Sequence, residues 1–185
     1  MTARRRLPDD GSIVEAVVAD ILDHGLLGWT LRGAGERIGV SARMLIHHFG
    51  SREAVLTRAF SHIHEEYTAR WLGEHPVTGL DDLVGEGLLP VIRFGTSLSA
   101  LAISEGGTYR DLYVSTMDDW RERIESLLRD RGIGGDARRR ADLAVVAIRG
   151  IQADYGITGD EARARTALAD LQALLIAPRE SGRQP

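Results

Sequence analysis

Between Thr30 and Arg52 the chain gathers residue types that recognise a polyanion and read what it carries: Thr30, Ser41, Arg43, Met44, His47, His48 and Arg52. An arginine guanidinium bonds bidentately to guanine O6 and N7, and an apolar side chain packs against a thymine methyl group. Hydroxyls, imidazoles and further guanidiniums donate to phosphate oxygens. The same segment offers little to a reaction. Gly33-Ala34-Gly35 with Gly39 lacks the spacing of a nucleotide-binding loop, and no strand pattern precedes it. His47 and His48 are adjacent, while His62 and His64 are two apart and so point to different sides of a helix. There are no cysteines, which excludes thiolate metal sites and disulfides. Ser, His and Asp occur in no nucleophile motif. No catalytic residue, cofactor or metal is therefore expected, and the chain does not read as an enzyme.

Side chains of this kind work only on a rigid mount, and the sequence supplies one. Thr30 to Ile38 reads as a short helix, Gly39-Val40-Ser41 as a tight turn, and Ser41 to Phe49 as a second helix. Gly39 can take the left-handed conformation that ends a helix. Thr30 and Ser41 are N-caps. Ala34, Ile38, Val40 and Leu45 are spaced to face one core. This is a helix-turn-helix, whose second helix can enter the DNA major groove. Arg43 heads that second helix and is the leading base contact; a solvated surface charge is the alternative. Met44 is assigned a thymine methyl, and His47 a base or a phosphate. His48 either meets phosphate or packs inside. Before the motif, Ser12-Ile13-Val14-Glu15 fits a capping box. Ile13, Val17, Ile21 and Leu22 form an apolar stripe that ends at His24-Gly25. After the motif, Ser51 caps a longer helix with Ala54, Val55, Ala59, Phe60, Ile63 and Tyr67 on one face, running to about Leu72. Arg4, Arg5 and Arg6 form either a minor-groove arm or a solvated tail.

Gly73 to Gly79, with Pro76, reads as a linker. Beyond it come a short Gly-interrupted helix from Leu80 to Leu89 and a helix from Pro90 to Ser104. Longer helices follow over Tyr109–Asp130 and Asp136–Ile157, and a last one opens at Gly159-Asp160 and ends near Ile176. The fold class is all-α, with about nine helices. Three segments are expected: 1–72 for DNA reading, 73–177 for effector binding and dimerisation, and a disordered tail over 178–185. Within 185 residues, a hydrophobic fraction of 43% and a charged fraction of 27% are ordinary for a globular protein. No apolar run approaches the roughly 18 residues needed to cross a bilayer. The first residues have no apolar stretch behind them, so no secretory signal is expected and a cytoplasmic location follows. The net charge is −4. Residues 1–70 hold nine Arg and nine acidic residues, and the remainder fourteen and eighteen. That is no basic-domain signature, so the local placement of arginines must carry the nucleic-acid argument.

The first ~70 residues resemble the TetR family of bacterial transcriptional regulators. The likeness lies in Ile13–Gly25, Leu31–Val40 and Ser41–Val55. It is closest in Leu45-Ile46-His47-His48-Phe49-Gly50-Ser51-Arg52-Glu53-Ala54, against the family's Leu-Tyr-x-His-Phe-x-Ser-Lys-Glu-Ala. The C-terminal part is similar only in helix order and length. Ile46 stands where the family often has a phosphate-binding Tyr, so that contact is missing or passes to His47. Arg43 and Met44 replace a frequent Gly and Thr, which alters the choice of operator. Gly33 and Gly35 lie inside a helix at roughly 1 kcal/mol each relative to Ala. A small residue at Gly35 suits a helix crossing, whereas Gly33 has no such reason in the sequence.

The resemblance implies phosphate contacts from Thr30, His48 and Arg52, and a homodimer on a palindromic double-stranded DNA operator. It also implies a repressor released by a small-molecule effector that moves the helix from Arg52 to Leu72. The dimer would form through the last two helices, using Leu143, Val146, Ala147, Ile151, Leu168, Leu171, Leu174 and Leu175, which alternatively serve as intrachain core; the two helices are expected to contribute to both. Effector-pocket candidates are Arg93, Phe94, Tyr109, Tyr113, Met117, Trp120, Arg149 and Gln152; a stripe of aromatics can equally be plain core. Arg149 would bind an anion, pair with Asp154 or Glu105, or face solvent. The alternative function is a ligand-binding or protein-interaction module of the same fold that has lost operator binding.

Overall fold

The computed structural model describes residues 10–69 and 80–177. Among these are eight α-helices and no strand: α1 Asp10–His24, α2 Leu31–Ile38, α3 Ala42–Phe49, α4 Arg52–Ala69, α5 Leu89–Ser104, α6 Gly107–Asp130, α7 Ala137–Thr158 and α8 Glu161–Ile176. The all-α expectation holds, with eight helices against about nine. The difference lies in Leu80 to Leu89, which forms two short 3-10 turns, Leu80–Leu83 and Glu86–Leu88. Gly85 between them has φ +144, a conformation closed to side-chain-bearing residues, so no α-helix can run through it. Helix α1 already begins at Asp10, which puts Ser12 inside its first turn and not at its cap. Arg4–Arg6, the continuation of α4 to Leu72, the linker and the tail lie outside the described residues.

The chain divides into two compact units, one holding 10–69 with 93–113 and the other 80–92 with 114–177. In the first, Ile13, Val17 and Ile21 of α1 and Val55, Ala59 and Ile63 of α4 are buried at helical spacing. The rings of Phe60 and Phe94 pack at a tilt of 44° with centroids 4.6 Å apart. Leu98, Leu101 and Tyr109 are also buried. In the second unit, small residues of α7 (Ala137, Ala141, Ala144) and Ala164 with Leu168, Leu171 and Leu175 of α8 are buried. The 3-10 segment is tied down by polar contacts. Gln152 Nε2 donates to the Leu83 carbonyl at 3.0 Å, and the Leu80 N–H donates to Gln172 Oε1 at 2.7 Å. Arg140 is buried and donates to the carbonyl of Leu175, in the last turn of α8, and to that of Ala177 just past it.

One stretch, Glu86–Ser104, is long and apolar enough to cross a membrane by length and average composition alone, a test that core helices of globular folds also pass. Its Gly, Ser, Thr and Ala residues dilute Leu, Ile and Phe without adding charge, so the average stays apolar although no unbroken run exists. Ile92, Phe94, Leu98 and Leu101 from this stretch are buried in the fold.

Asp20 is the polar exception on the buried face of α1, only 4% exposed. Trp29 Nε1–H donates to its Oδ2 at 2.9 Å. Arg37 donates to both carboxylate oxygens, Nε to Oδ1 and Nη2 to Oδ2 at 2.9 Å. One carboxylate thus ties together α1, the α1–α2 turn and α2. Burial pushes the Asp20 carboxyl upward, but the Arg37 and Trp29 donors and the Arg37 charge outweigh it and hold it below its ordinary value of 3.8. A carboxyl lowered in the fold stabilises above its unfolded value and loses that stabilisation as pH falls through the folded one. Asp20→Ala should cost about 1–3 kcal/mol in denaturant unfolding at neutral pH, because the buried Trp29 N–H loses its acceptor. The gap to wild type should narrow as pH drops below about 4. A gap unchanged down to about pH 2 would contradict the charge pairing.

Candidate nucleic-acid interface

The helix-turn-helix forms through the caps its sequence supplies. Thr30 is extended, and its hydroxyl oxygen accepts the Gly33 N–H at 3.1 Å. Gly39 ends α2 with φ +78, and the Val40 N–H returns to the Gly35 carbonyl at 2.9 Å. Ser41 opens α3 by accepting the Met44 N–H at 3.0 Å. Ser51 repeats the device for α4, accepting the Ala54 N–H at 3.0 Å. Ala34 and Leu45 are fully buried, while Ile38 and Val40 are half-buried.

Both unusual glycines have local reasons. A Cβ on Gly35 would lie 2.5 Å from the Val40 carbonyl oxygen and 3.2 Å from the Ala42 nitrogen, so only glycine lets the turn fold back over α2. A Cβ on Gly33 would lie 3.1 Å from an Arg37 guanidinium nitrogen and 3.2 Å from Thr30 Oγ1. Gly33 therefore leaves a path for the Arg37 side chain on its way to Asp20.

Helix α3 turns Arg43, Ile46, His47 and His48 to solvent and keeps Leu45 inside. Arg43, Ile46 and His47 stand at i, i+3 and i+4 and share one face. Met44 is half-buried. The His48 ring meets Phe49 edge-on with centroids 4.8 Å apart. Thr30 is exposed at the start of α2. Arg52 opens α4 and is half-buried. Its Nη1 donates to the Tyr109 hydroxyl at 2.8 Å, and its Nη2 to the Trp29 carbonyl at 3.3 Å. The guanidinium carbon lies 6.0 Å from the Tyr109 ring centroid, within cation–π reach.

The eight pocket candidates are divided between the compact units. Arg93, Phe94, Tyr109 and Tyr113 belong to the first, and Met117, Trp120, Arg149 and Gln152 to the second. Phe94 packs on Phe60, Tyr109 holds Arg52, and Gln152 holds the Leu83 carbonyl. Arg93 is exposed, and Tyr113, Met117, Trp120 and Arg149 are half-buried. Asp154, considered as a partner for Arg149, pairs with Arg163 at 2.5 Å. The sequence reading missed the Asp20–Trp29–Arg37 cluster. Its signal was present: a lone carboxylate on the apolar stripe of α1 must find donors.

No family sequence model matches this chain, and neither does any curated protein sequence. Solved structures do. The chain is similar to a transcriptional regulator from Rhodococcus sp. Rha1, with 17% identity, 91% of this chain and 96% of that one covered, and a TM-score of 0.76. It is similar to a TetR-family transcriptional regulator from Rhodococcus sp. at 20% identity, 89% and 96% coverage and TM-score 0.75. A transcriptional regulator from Pseudomonas aeruginosa PAO1 follows at 18% identity, 92% coverage of both chains and TM-score 0.71. The architecture is that of an all-α helix-turn-helix protein. More narrowly, the chain has the fold of the TetR-family regulators, as the resemblance of its first ~70 residues implied.

The glycine geometry gives a paired prediction. Gly35→Ala should destabilise by about 1–3 kcal/mol, since the added Cβ meets backbone and overpacking outweighs the gain in helix propensity. Gly33→Ala should cost less than Gly35→Ala, because its Cβ meets side-chain atoms of Arg37 and Thr30 at 3.1 and 3.2 Å and no backbone. Urea unfolding of the two variants side by side checks both, and equal losses would refute the close approach at Gly35.

Proposed function

We propose that the chain is a sequence-specific, double-stranded DNA-binding transcriptional regulator that works as a homodimer, and that it is a repressor released by a small-molecule effector. The observation that carries the reading is the exposed face of α3, with Arg43 and His47 on a capped helix that follows a tight turn. Arg43 would read guanine, with Thr30, His48 and Arg52 on phosphates. The Arg52 bonds to Tyr109 and Trp29 support a preset position for its guanidinium. A regulator of this kind works on cytoplasmic DNA. The division of labour is DNA reading by residues 1–72 and effector binding with dimerisation by 73–177.

A second copy would double the number of base pairs read and demand a palindrome. Dimerisation through α7 and α8 is supported by Leu143, Val146 and Leu174, which are 54%, 71% and 67% exposed and leave an apolar strip for a partner. Ala147 and Ile151 border it, while Leu168, Leu171 and Leu175 serve the protomer's own core. Effector release requires a ligand with different affinity for the DNA-bound and free states. Its candidate contacts are the eight residues named above.

Selection of bound duplexes from a random pool, with the winner's affinity followed across salt, tests the reading. A palindromic winner with steep salt dependence is expected. A pool with no enriched sequence would overturn it in favour of a module that has lost operator binding. On the selected duplex, Arg43→Ala should weaken binding about ten- to a hundred-fold and relax preference at one base pair per half-site. Unchanged affinity would remove Arg43 from the interface. Val146→Asp should convert the dimer to monomer in sedimentation at unchanged helix content, and an intact dimer would rule out this face.

A further inference from the structure

We propose that Ile46 is a specificity-determining residue that reads the methyl group of a thymine in the major groove, beside the base pair read by Arg43. The inference rests on the DNA-binding reading above. An exposed aliphatic residue by itself means little, since singly scattered ones are common on protein surfaces. Here the position carries the meaning. Ile46 is 37% exposed on α3, three residues after Arg43 and one before His47, on the face that the buried Leu45 turns outward. Three residues of helix advance about 4.5 Å, close to the ~3.4 Å between successive bases of one strand. On a helix lying along the major groove, Arg43 and Ile46 would thus address neighbouring pairs. The β-branched side chain has few rotamers, so its methyls are presented at little cost in lost freedom.

A phosphate is no partner for this side chain, because an aliphatic group has nothing to donate. The one strongly apolar feature on the major-groove edge of a base pair is the thymine C5-methyl. Met44, the other apolar candidate near Arg43, is half-buried and directly follows Arg43 in sequence, so it does not stand beside it as an i+3 or i+4 neighbour. The face therefore combines a guanidinium, an aliphatic group and an imidazole. It fits a half-site in which a guanine stands next to a thymine.

The test uses the full-length protein and the duplex it selects, with each thymine replaced in turn by uracil, which lacks only the methyl. At one thymine per half-site, next to the guanine whose preference disappears in Arg43→Ala, the replacement should weaken wild-type binding about four-fold, the worth of one buried methyl. Ile46→Ala should bind the thymine and uracil duplexes equally while still preferring the guanine. Wild-type protein indifferent to every uracil replacement would overturn the assignment, and so would an Ile46→Ala variant that still distinguishes the two. Either failure leaves DNA binding intact, whereas a pool with no enriched duplex would take down the regulator reading and this inference together.

Discussion

A carboxylate inside the apolar core of a small helical unit is tolerated only where its charge and lone pairs are met. Asp20 meets that requirement by drawing in the indole N–H of Trp29 and the fork of Arg37. Each donor belongs to a different part of the chain, so satisfying one charge fixes α1, the turn after it and α2 with respect to each other. Gly35 then sets the next step. The Val40 carbonyl can approach α2 only because no Cβ stands in the way, and that approach aims α3. The Trp29 carbonyl also receives Arg52, so the residue that closes the Asp20 cluster helps to hold the start of α4. The exposed face of α3 is positioned by this series of constraints together with the buried Leu45.

Features that depend on near neighbours in sequence were legible in the sequence. The caps at Thr30, Ser41 and Ser51 and the stop at Gly39 are determined within three or four residues, and each formed as read. What escaped was non-local. Asp20 meets donors nine and seventeen residues away, and Arg52 meets a hydroxyl fifty-seven residues on. No periodicity encodes such pairings. Leu80 to Leu89 was misread for a different reason: apolar residues at roughly helical intervals suggest a helix, and only the backbone angle at Gly85 reveals two separate turns. Gly33 stood unexplained until the route of Arg37 above it was visible.

In the last two helices the pattern was legible and its partition was not. Eight apolar residues were candidates for either a partner or the core, and helical phase alone cannot tell which side of a wide apolar arc is already covered. Leu168, Leu171 and Leu175 are buried within the protomer, while Leu143, Val146 and Leu174 remain outside. A helix with a broad apolar arc can serve two neighbours: part of this arc is used by the protomer's own core, and the exposed part is what the proposed dimer would use.

Helix α3 buries a single residue, Leu45. Its other seven positions are half-buried or exposed. A mutation at Arg43, Ile46 or His47 therefore leaves the core of the unit largely untouched. On the proposed function, stability and recognition are stored in different residues, Asp20, Gly35 and Leu45 for the one and the outward face for the other. If α3 reads DNA as proposed, a lineage built on this scaffold can change its target one side chain at a time with little effect on the core, and so drift among binding sites without passing through a broken protein.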